Sequence, residues 1–256
     1  MKQTFYQKHK TLIFSLLGVV GFFVAWLVTS LIFHTTLYPT PIATFKTLFS
    51  LLGQVTTYQA VGTTILSLLI SLTISFLVGA LFGVLGGVFE AFRAFFKPFV
   101  TVMKAIPTAA IVFFIIVFTK PMFASIIVTS IITFPLVYEA FVSGFTSINQ
   151  DILDSLDVDG SNFFKRVFVI YLPLSYKHIL LSLTQVIGLG MKVSIMAEVL
   201  TSTGTFISLG SKIQQEAAFA NMNEIFAYSF IGVSIILLSD LGLYFVRKKL
   251  KKEITE

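Results

Sequence analysis

The sequence predicts an all-α membrane protein with six transmembrane helices. Of its 256 residues, 56% are hydrophobic and only 12% are charged, and the mean hydropathy is +0.93. These values exceed what a soluble globular domain carries. Six apolar runs are long enough to cross a bilayer, and a chain segment in lipid must pair its own backbone amides, which favours helices. We expect one transmembrane domain over residues 1–256.

The six predicted spans cover approximately residues 12–33, 61–89, 99–119, 122–145, 179–200 and 225–246. The first run follows Lys2, Lys8 and Lys10 and would be roughly 33 Å long as a helix at 1.5 Å per residue. A cleaved signal peptide would have a shorter apolar core and a small-residue exit, so an uncleaved first span is favoured. The segment LYPTPIATFKTLFSLLGQV, which begins at Leu37, predicts a helix lying on the outer leaflet.

The distribution of Lys and Arg predicts the orientation. An even number of spans puts both termini on one side, and that side holds about thirteen basic residues, whereas the other holds Lys46, Lys120 and Lys212. The basic side includes the N-terminus, the turn 90–97, the loop 146–175 and the tail from Arg247. Because basic loops stay inside, both termini and this loop are predicted to be cytoplasmic in a multi-pass protein of the cell membrane.

Several function classes are not supported by the residues. The chain has no cysteine, and His9, His34 and His178 lie at span edges, so neither a thiolate site nor a catalytic histidine is indicated. The stretch GTFISLGSK at 204–212 lacks the spacing and the Gly-Lys-Ser/Thr order of a phosphate loop. We expect no bound cofactor, metal or nucleic acid and no enzymatic activity. An ion-gradient-driven secondary transporter remains an alternative, although no internal repeat is visible.

One polar interruption, DILDSLDVDGSNFFKRVFVIYLP at 151–173, separates two apolar runs. Ser147 and Gln150 form a capping-box pattern for a short helix that Gly160 would end. A second short helix would follow, with an apolar face, and Pro173 would close it before the next span. That face comprises Phe163, Phe164, Val167, Phe168 and Tyr171. Such a unit suits insertion into a partner's groove, and an ordinary amphipathic surface loop is an equally open interpretation.

The same loop resembles the EAA motif of binding-protein-dependent ABC importer permeases. Gly160 is followed after nine residues by Ile170, Tyr171, Leu172 and Pro173, which is the motif's spacing, while Asp154, Ser155 and Leu156 replace its Glu-Ala-Ala triplet. Three further segments are similar to the nitrate, sulfonate and taurine branch of these permeases. They are LYPTPIATFKTL from Leu37, Lys104 to Pro107, and GLGMKVSIMAEVL from Gly188.

The resemblance implies a type I ABC importer permease fold. It also implies that two copies, or this chain and a paralogue, form the pathway, that a separate cytosolic ATPase pair binds ATP and Mg²⁺, and that an external binding protein delivers substrate. The residues implied to contact the ATPase are Asp154, Ser155, Leu156, Asp157, Gly160, Phe163, Phe164, Ile170, Leu172 and Pro173. For Phe163 and Phe164, burial against the chain's own spans is the alternative. Relatives carry sulfonates, nitrate, taurine and pyrimidine or thiamine precursors.

Ionisable residues within the spans are candidates for the pathway. Lys192 lies about fifteen residues, or roughly 22 Å, from Lys177, and a lysine at that depth costs roughly 2.5 to 3.5 kcal/mol on insertion scales. Attraction of an anionic substrate and a fixed structural ion pair are equally open roles for it. Glu198 would line the outer mouth or lie in the membrane interface, and Lys104 could reach the cytoplasmic boundary. Pro107 would kink the third span and open room beside it.

Overall fold

The computed structural model describes residues 5–33, 37–149, 151–153, 162–202 and 206–255, and every element within these ranges is helical. The helices are α1 (Phe5–Phe33), α2 (Pro41–Leu52), α3 (Val55–Val88), α4 (Glu90–Ala105), α5 (Thr108–Ile116), α6 (Pro121–Thr146), α7 (Phe163–Thr201), α8 (Leu209–Ala218) and α9 (Met222–Thr255).

Five of these helices are long and apolar enough to cross a membrane, namely α1, α3, α6, α7 and α9. The pair α4 and α5 makes a sixth crossing if the two are counted as one bent span. The predicted all-α membrane fold class is therefore confirmed, with five membrane-length helices, or six if the bent pair is one span. The helices begin before the predicted apolar runs, and α3 already begins at Val55, ahead of the expected residue 61.

The third predicted span, 99–119, is not one helix. It is divided between α4 and α5, whose axes differ by 88°. Pro107 disfavours the helical conformation of the residue before it, and Ile106 is extended, with φ −69° and ψ 127°. The predicted kink at Pro107 is confirmed, but its size makes a break. Helix α4 is amphipathic, and one stripe along it carries its polar side chains. These are Glu90, Arg93, Lys97, Thr101 and Lys104.

Helices α3 and α6 approach so closely that glycine is required between them. A Cβ added at Gly83 would lie 2.7 Å from Phe141 Cβ, and one at Gly87 would lie 2.7 Å from the Phe145 ring. Hydroxyl groups join the same two helices higher up, where Ser75 Oγ lies 2.6 Å from Thr133 Oγ1. Small residues of this kind allow two membrane helices to approach closely.

Helix α7 is continuous from Phe163 to Thr201, so the prediction that Pro173 ends a separate short helix is wrong. The segment Arg166–Tyr171 is π-helical. Pro173 has no N–H to donate, and its ring would clash with the carbonyl four residues earlier in a regular α-helix. The wider π-helical turn accommodates the proline, because its carbonyls do not follow the regular i to i+4 pattern. As a result, the end of the polar loop and the following span form one continuous helix.

The N-terminal helices α1 and α2 pack against α9. Thr40 Oγ1 caps α2 by accepting from Ala43 N at 3.2 Å, and the buried Leu51 of α2 joins a core with Leu209 and Tyr228. Helix α1 is mostly exposed, and its principal contact is Trp26, whose ring stacks on Phe230 with centroids 5.5 Å apart. The predicted helix after Leu37 is thus present, and one of its faces packs against protein.

Candidate translocation groove and coupling segment

A groove of about 650 Å³ lies between α6 and α7, towards the ends that are predicted to be cytoplasmic. We call it the α6–α7 groove. Polar side chains make up half of its lining: Glu139, Ser143 and Thr146 on α6, and Ser182 and Gln185 on α7. Leu136, Ala140, Val142, Val186 and Leu189 complete it. Polar side chains at membrane depth are costly against lipid, so this face suits water, a solute or another protein surface.

Helical spacing extends the polar face of α7 beyond the groove. Ser182, Gln185, Leu189, Lys192 and Met196 follow one another at intervals of three or four residues and share one face of the helix. The residues one position further on, Val186, Gly190, Val193 and Ala197, are buried against the bundle. The first set therefore forms the open side of α7, and Lys192 lies about 10 Å along the axis from Gln185.

Lys192 is exposed on the surface of the subunit. Within the described part of the chain it has no carboxylate partner and makes no hydrogen bond. The structural ion pair that was one of its two predicted roles is therefore not formed among these residues. A lysine on the open face of a membrane-spanning helix would be expensive against hydrocarbon, so the face itself indicates a polar neighbour outside the subunit.

Lys104 does not extend freely to the membrane boundary. Its Nζ donates to both carboxylate oxygens of Glu139, at 2.8 and 2.9 Å, and each side chain is 45% exposed. Lys104 lies in the last turn of α4, directly before the break at Ile106 and Pro107. The sequence did not predict this pair, because 35 residues separate its members. No local pattern brings α4 back against α6.

Glu139 also borders a second cavity of about 420 Å³ between α4 and α6. Glu90, Arg93, Lys97, Thr101 and Tyr138 line this cavity with it. The Glu139 carboxylate therefore lies between the α6–α7 groove and the α4–α6 cavity.

Glu198 has a different environment from either one predicted for it. It is 1% exposed, and its Oε2 accepts from Thr64 Oγ1 at 2.7 Å and from Gly210 N at 3.2 Å. Thr64 Oγ1 in turn accepts from Leu209 N at 2.9 Å. The carboxylate thus satisfies the first turn of α8, where the helix dipole favours a negative charge, and it ties α3, α7 and α8 together. It lies in the packed interior, away from the open face of α7.

Gly210 is matched to this contact. A Cβ there would collide with the side chain of Glu198 and would lie 2.6 Å from Val199 N. The second capping interaction comes from Ser208, whose hydroxyl accepts from Ser211 N at 3.1 Å. The described part of the stretch compared with a phosphate loop, residues 206–212, therefore leads into and begins α8.

The predicted coupling segment is only partly described. Asp154, Ser155, Leu156, Asp157 and Gly160 lie outside the described residues. Of the remaining candidates, Phe163 is half-buried and stacks on Phe89 with ring centroids 5.5 Å apart. Phe164 is 71% exposed. Ile170 and Leu172 are half-buried, and Pro173 is exposed.

The five-residue apolar face predicted for this segment is divided. Val167 and Tyr171 are buried in a core with Phe145, whereas Phe164 and Phe168 are exposed. Phe163, Val167 and Tyr171 follow one another at intervals of four residues and face the bundle, whereas Phe164 and Phe168 lie one position further round the helix and face outward. Burial against the chain's own helices therefore applies to Phe163 but not to Phe164.

A third cavity, of about 390 Å³, adjoins this segment. Gly87, Glu90, Arg93, Thr146, Leu153 and Arg166 are among its lining residues, so the junction of α3 and α4 meets the start of α7 there. In the part of the chain that the structure describes, no group of three or more His, Cys, Asp or Glu could hold a metal ion.

Solved structures share this arrangement of helices. A chain of the MetNI methionine ABC transporter in an inward-facing conformation is similar with a TM-score of 0.66 at 16% identity, covering 76% of this chain and 96% of that one. A chain of a bacterial ABC transporter involved in the import of the acidic polysaccharide alginate gives a TM-score of 0.66 at 17% identity, covering 95% and 97%. At these identities the likeness shows the fold alone, which is that of type I ABC importer permeases.

Sequence comparison identifies a curated relative and a family. The putative molybdenum transport system permease protein YvgM of Bacillus subtilis (strain 168) is 29% identical over 131 residues, which are 49% of this chain and 55% of the relative. The match thus spans about half the length of each protein. The model of the family described as binding-protein-dependent transport system inner membrane component matches residues 76–255. This range contains the end of α3 and all of α4 to α9, including the α6–α7 groove, and the chain belongs to this family of membrane components of binding-protein-dependent transport systems.

Proposed function

We propose that this chain is the permease subunit of an ATP-driven importer and that the α6–α7 groove is its half of the substrate pathway. The observation that carries the proposal is the open polar face of α7, which joins the groove to the unpaired Lys192. Side chains of this kind on a membrane-spanning helix need a polar neighbour. A second copy of the chain, or a paralogue, facing this side would enclose the pathway between the two subunits.

Energy would come from outside the chain. The polar loop 146–175 ends in the same helix that carries the groove, so a displacement imposed on Phe163 or Phe164 would move Ser182 and Gln185 with it. Rigid helices transmit such displacements between distant sites. We therefore assign the ATPase contact to this loop, including Asp154 to Asp157 and Gly160, and place ATP and Mg²⁺ in a partner subunit. The loop and both termini would then face the cytosol.

A small anion is the proposed substrate. Lys192 is a cation without a partner among the described residues, on the face that would meet the solute. Sulfonates, nitrate and taurine fit the similarity of Lys104 to Pro107 and of the segment from Gly188 to that branch of permeases. A pyrimidine or thiamine precursor is the second candidate class. An external binding protein would select among such compounds before delivery.

The test is ATP-dependent uptake by the reconstituted complex. The chain, its ATPase and its binding protein would be placed in proteoliposomes, and uptake of labelled sulfonate, nitrate, molybdate and cytosine would be measured with and without enclosed ATP. We expect uptake of at least one probe to require ATP and the ATPase. Uptake that persists without ATP and follows an imposed ion gradient would instead identify a secondary transporter.

A further inference from the structure

We propose that Lys104 and Glu139 form an exchangeable counter-ion pair at the inner end of the α6–α7 groove, in which Glu139 yields Lys104 to an anionic substrate. This inference rests on the proposed function and assigns the groove a second anion position beyond Lys192. It also makes Glu139 a determinant of charge selectivity. Neither residue is in the coupling loop.

The exposure of the pair makes it exchangeable. Both side chains are 45% exposed, although Nζ of Lys104 reaches both oxygens of Glu139 within 2.9 Å. Pairs that are half open to solvent contribute little to stability, because the charges are screened and two flexible side chains must be held in place. An incoming anion can replace the carboxylate on Lys104 without leaving a buried charge unpaired.

The position of Glu139 in the α6–α7 groove explains why an anion pathway needs its charge to be neutralised. Among the described residues that line the α6–α7 groove, Glu139 is the only charged one. Left unpaired, its carboxylate would repel an anion that arrives from Lys192 past Gln185. Paired with Lys104, it is neutralised, and the same lysine is the next cation that the anion meets. The α4–α6 cavity on the other side adds Glu90, Arg93 and Lys97 to the groups around the pair.

The backbone next to Lys104 permits the pair to open. The helix ends at Ala105, and the chain turns by 88° before α5 begins at Thr108. A rotation of α4 about Ile106 and Pro107 would carry Lys104 away from Glu139 without breaking hydrogen bonds inside either helix. Breaks of this kind are common hinge positions.

Opposite effects of the two neutralising substitutions are the expected signature. Lys104→Met leaves the carboxylate of Glu139 unpaired in the groove and makes the local potential more negative. Glu139→Gln leaves Lys104 as a free cation and makes the potential more positive. The double variant removes both charges and restores a neutral groove. A pair that served only to hold α4 against α6 would instead lose stability equally in both single variants.

The potential can be measured without knowing the substrate. Because the chain has no cysteine, a Ser143→Cys variant carries a single thiol in the α6–α7 groove, one helical turn from Glu139. The probes are the anionic sulfonatoethyl and the cationic trimethylammonioethyl methanethiosulfonates, applied to the complete complex in proteoliposomes. The readout is the ratio of the two modification rates. Lys97→Met is the matched control, since Lys97 lies on the same stripe of α4 but borders the other cavity.

We expect Glu139→Gln to raise the anion-to-cation rate ratio by about tenfold and Lys104→Met to lower it by about tenfold, as one charge at close range in a partly solvated site should do. The double variant should return within about threefold of the parent, and Lys97→Met should change the ratio by less than about threefold. Single variants that shift the ratio in the same direction, or not at all, would overturn the inference. So would equal losses of thermal stability without a change in the ratio.

A second readout separates this inference from the proposed function. In ATP-dependent uptake of the labelled anions, Glu139→Gln should lower KM and kcat together, because the anion is held more tightly, whereas Lys104→Met should raise KM. ATP-dependent uptake of cytosine alone, with none of the anions carried, would overturn the anion site and leave the importer function standing. Uptake independent of ATP would remove the importer function, while the rate ratios would still report on the pair.

Discussion

The buried carboxylate of Glu198 shows how a single residue can fix three helices. Its Oε2 receives hydrogen bonds from Thr64 on α3 and from Gly210 at the start of α8, while its own backbone belongs to α7. Removal of a buried acceptor leaves its donors unsatisfied in a medium that offers no water. These contacts indicate a structural role for Glu198, whereas the role proposed for Lys192, six residues earlier on the same helix, is in transport.

We expect Glu198→Ala to destabilise the protein by about 1 to 3 kcal/mol, the usual cost of leaving buried hydrogen-bond donors without their acceptor. Glu198→Gln should cost less, because it keeps an oxygen for Thr64 and Gly210, and Thr64→Val should cost about 1 to 2 kcal/mol. Thermal unfolding of the purified protein in detergent would measure the order. Equal unfolding temperatures for the wild-type protein and Glu198→Ala would show that this contact does not hold α8.

For Lys192, we expect a substitution to affect transport and not stability. Lys192→Met should reduce ATP-dependent uptake of an anion by about tenfold or more, which corresponds to about 1.4 kcal/mol of lost attraction, while Lys192→Arg retains most of it. Co-purification of the ATPase and of a second, differently tagged copy should be unchanged. Loss of that assembly would instead indicate an ion pair with a neighbouring subunit.

At the scale of the elements, the α3 to α6 contact depends on the absence of side chains. We expect Gly83→Ala to destabilise by about 1 to 3 kcal/mol, because its new Cβ would lie 2.7 Å from Phe141 Cβ and 3.0 Å from the carbonyl oxygen of Tyr138. Gly62→Ala on the same helix is the matched control, since no atom lies within 4 Å of its added Cβ. It should be neutral or stabilise by about 0.5 to 1 kcal/mol. Thermal unfolding of the two variants checks the difference, and a Gly83→Ala protein as stable as Gly62→Ala would contradict the packing account.

The sequence predicted the elements that depend on local patterns. Apolar length identified the membrane helices, and Pro107 marked the position of the break between α4 and α5. The sequence did not predict that α7 continues through Pro173, because a proline ordinarily ends a helix and the π-helical turn that accommodates it has no local signature.

Contacts between distant residues were equally inaccessible. Glu198 meets Thr64 across 134 residues, and Lys104 meets Glu139 across 35. Both pairings depend on how α3, α4, α6 and α7 cross, which periodicity does not specify. For Lys192, by contrast, the sequence alone indicated a polar neighbour, because the cost of a lysine at membrane depth does not depend on the details of packing.

At the scale of the whole molecule, α7 joins two functions in one rigid element. Its first turn carries Phe163 and Phe164 at the end of the proposed coupling loop, and its middle carries the polar side of the α6–α7 groove. The π-helical segment lies between them and packs through Val167 and Tyr171 on α6. A displacement of the loop would therefore move α7 and, through the contact of Val167 and Tyr171 with α6, would also move the helix that carries Glu139.

If the start of α7 couples the chain to the ATPase, a substitution there should weaken ATPase binding without reducing the stability of the fold. Phe164 is 71% exposed, so Phe164→Ala should leave thermal unfolding unchanged within about 0.5 kcal/mol, as surface substitutions do, yet weaken ATPase association. An exposed aromatic anchor in a protein interface is typically worth about 2 kcal/mol or more, or roughly thirtyfold in affinity. Co-purification and ATP-dependent uptake would be measured on the same preparations.

Phe113→Ala provides the matched control, because Phe113 is 61% exposed on α5, in the segment beyond the break that is predicted to lie towards the outer side. It should change neither association nor uptake. Gly160→Val tests the same loop through its backbone and should give the losses seen with Phe164→Ala, since a β-branched residue opposes the left-handed turn expected there. Unchanged association in both loop variants would remove the loop from the ATPase contact and leave the groove to be driven through another surface. If Phe113→Ala also lost ATPase association, the effect would not be specific to the start of α7 but would follow from the loss of any exposed aromatic side chain.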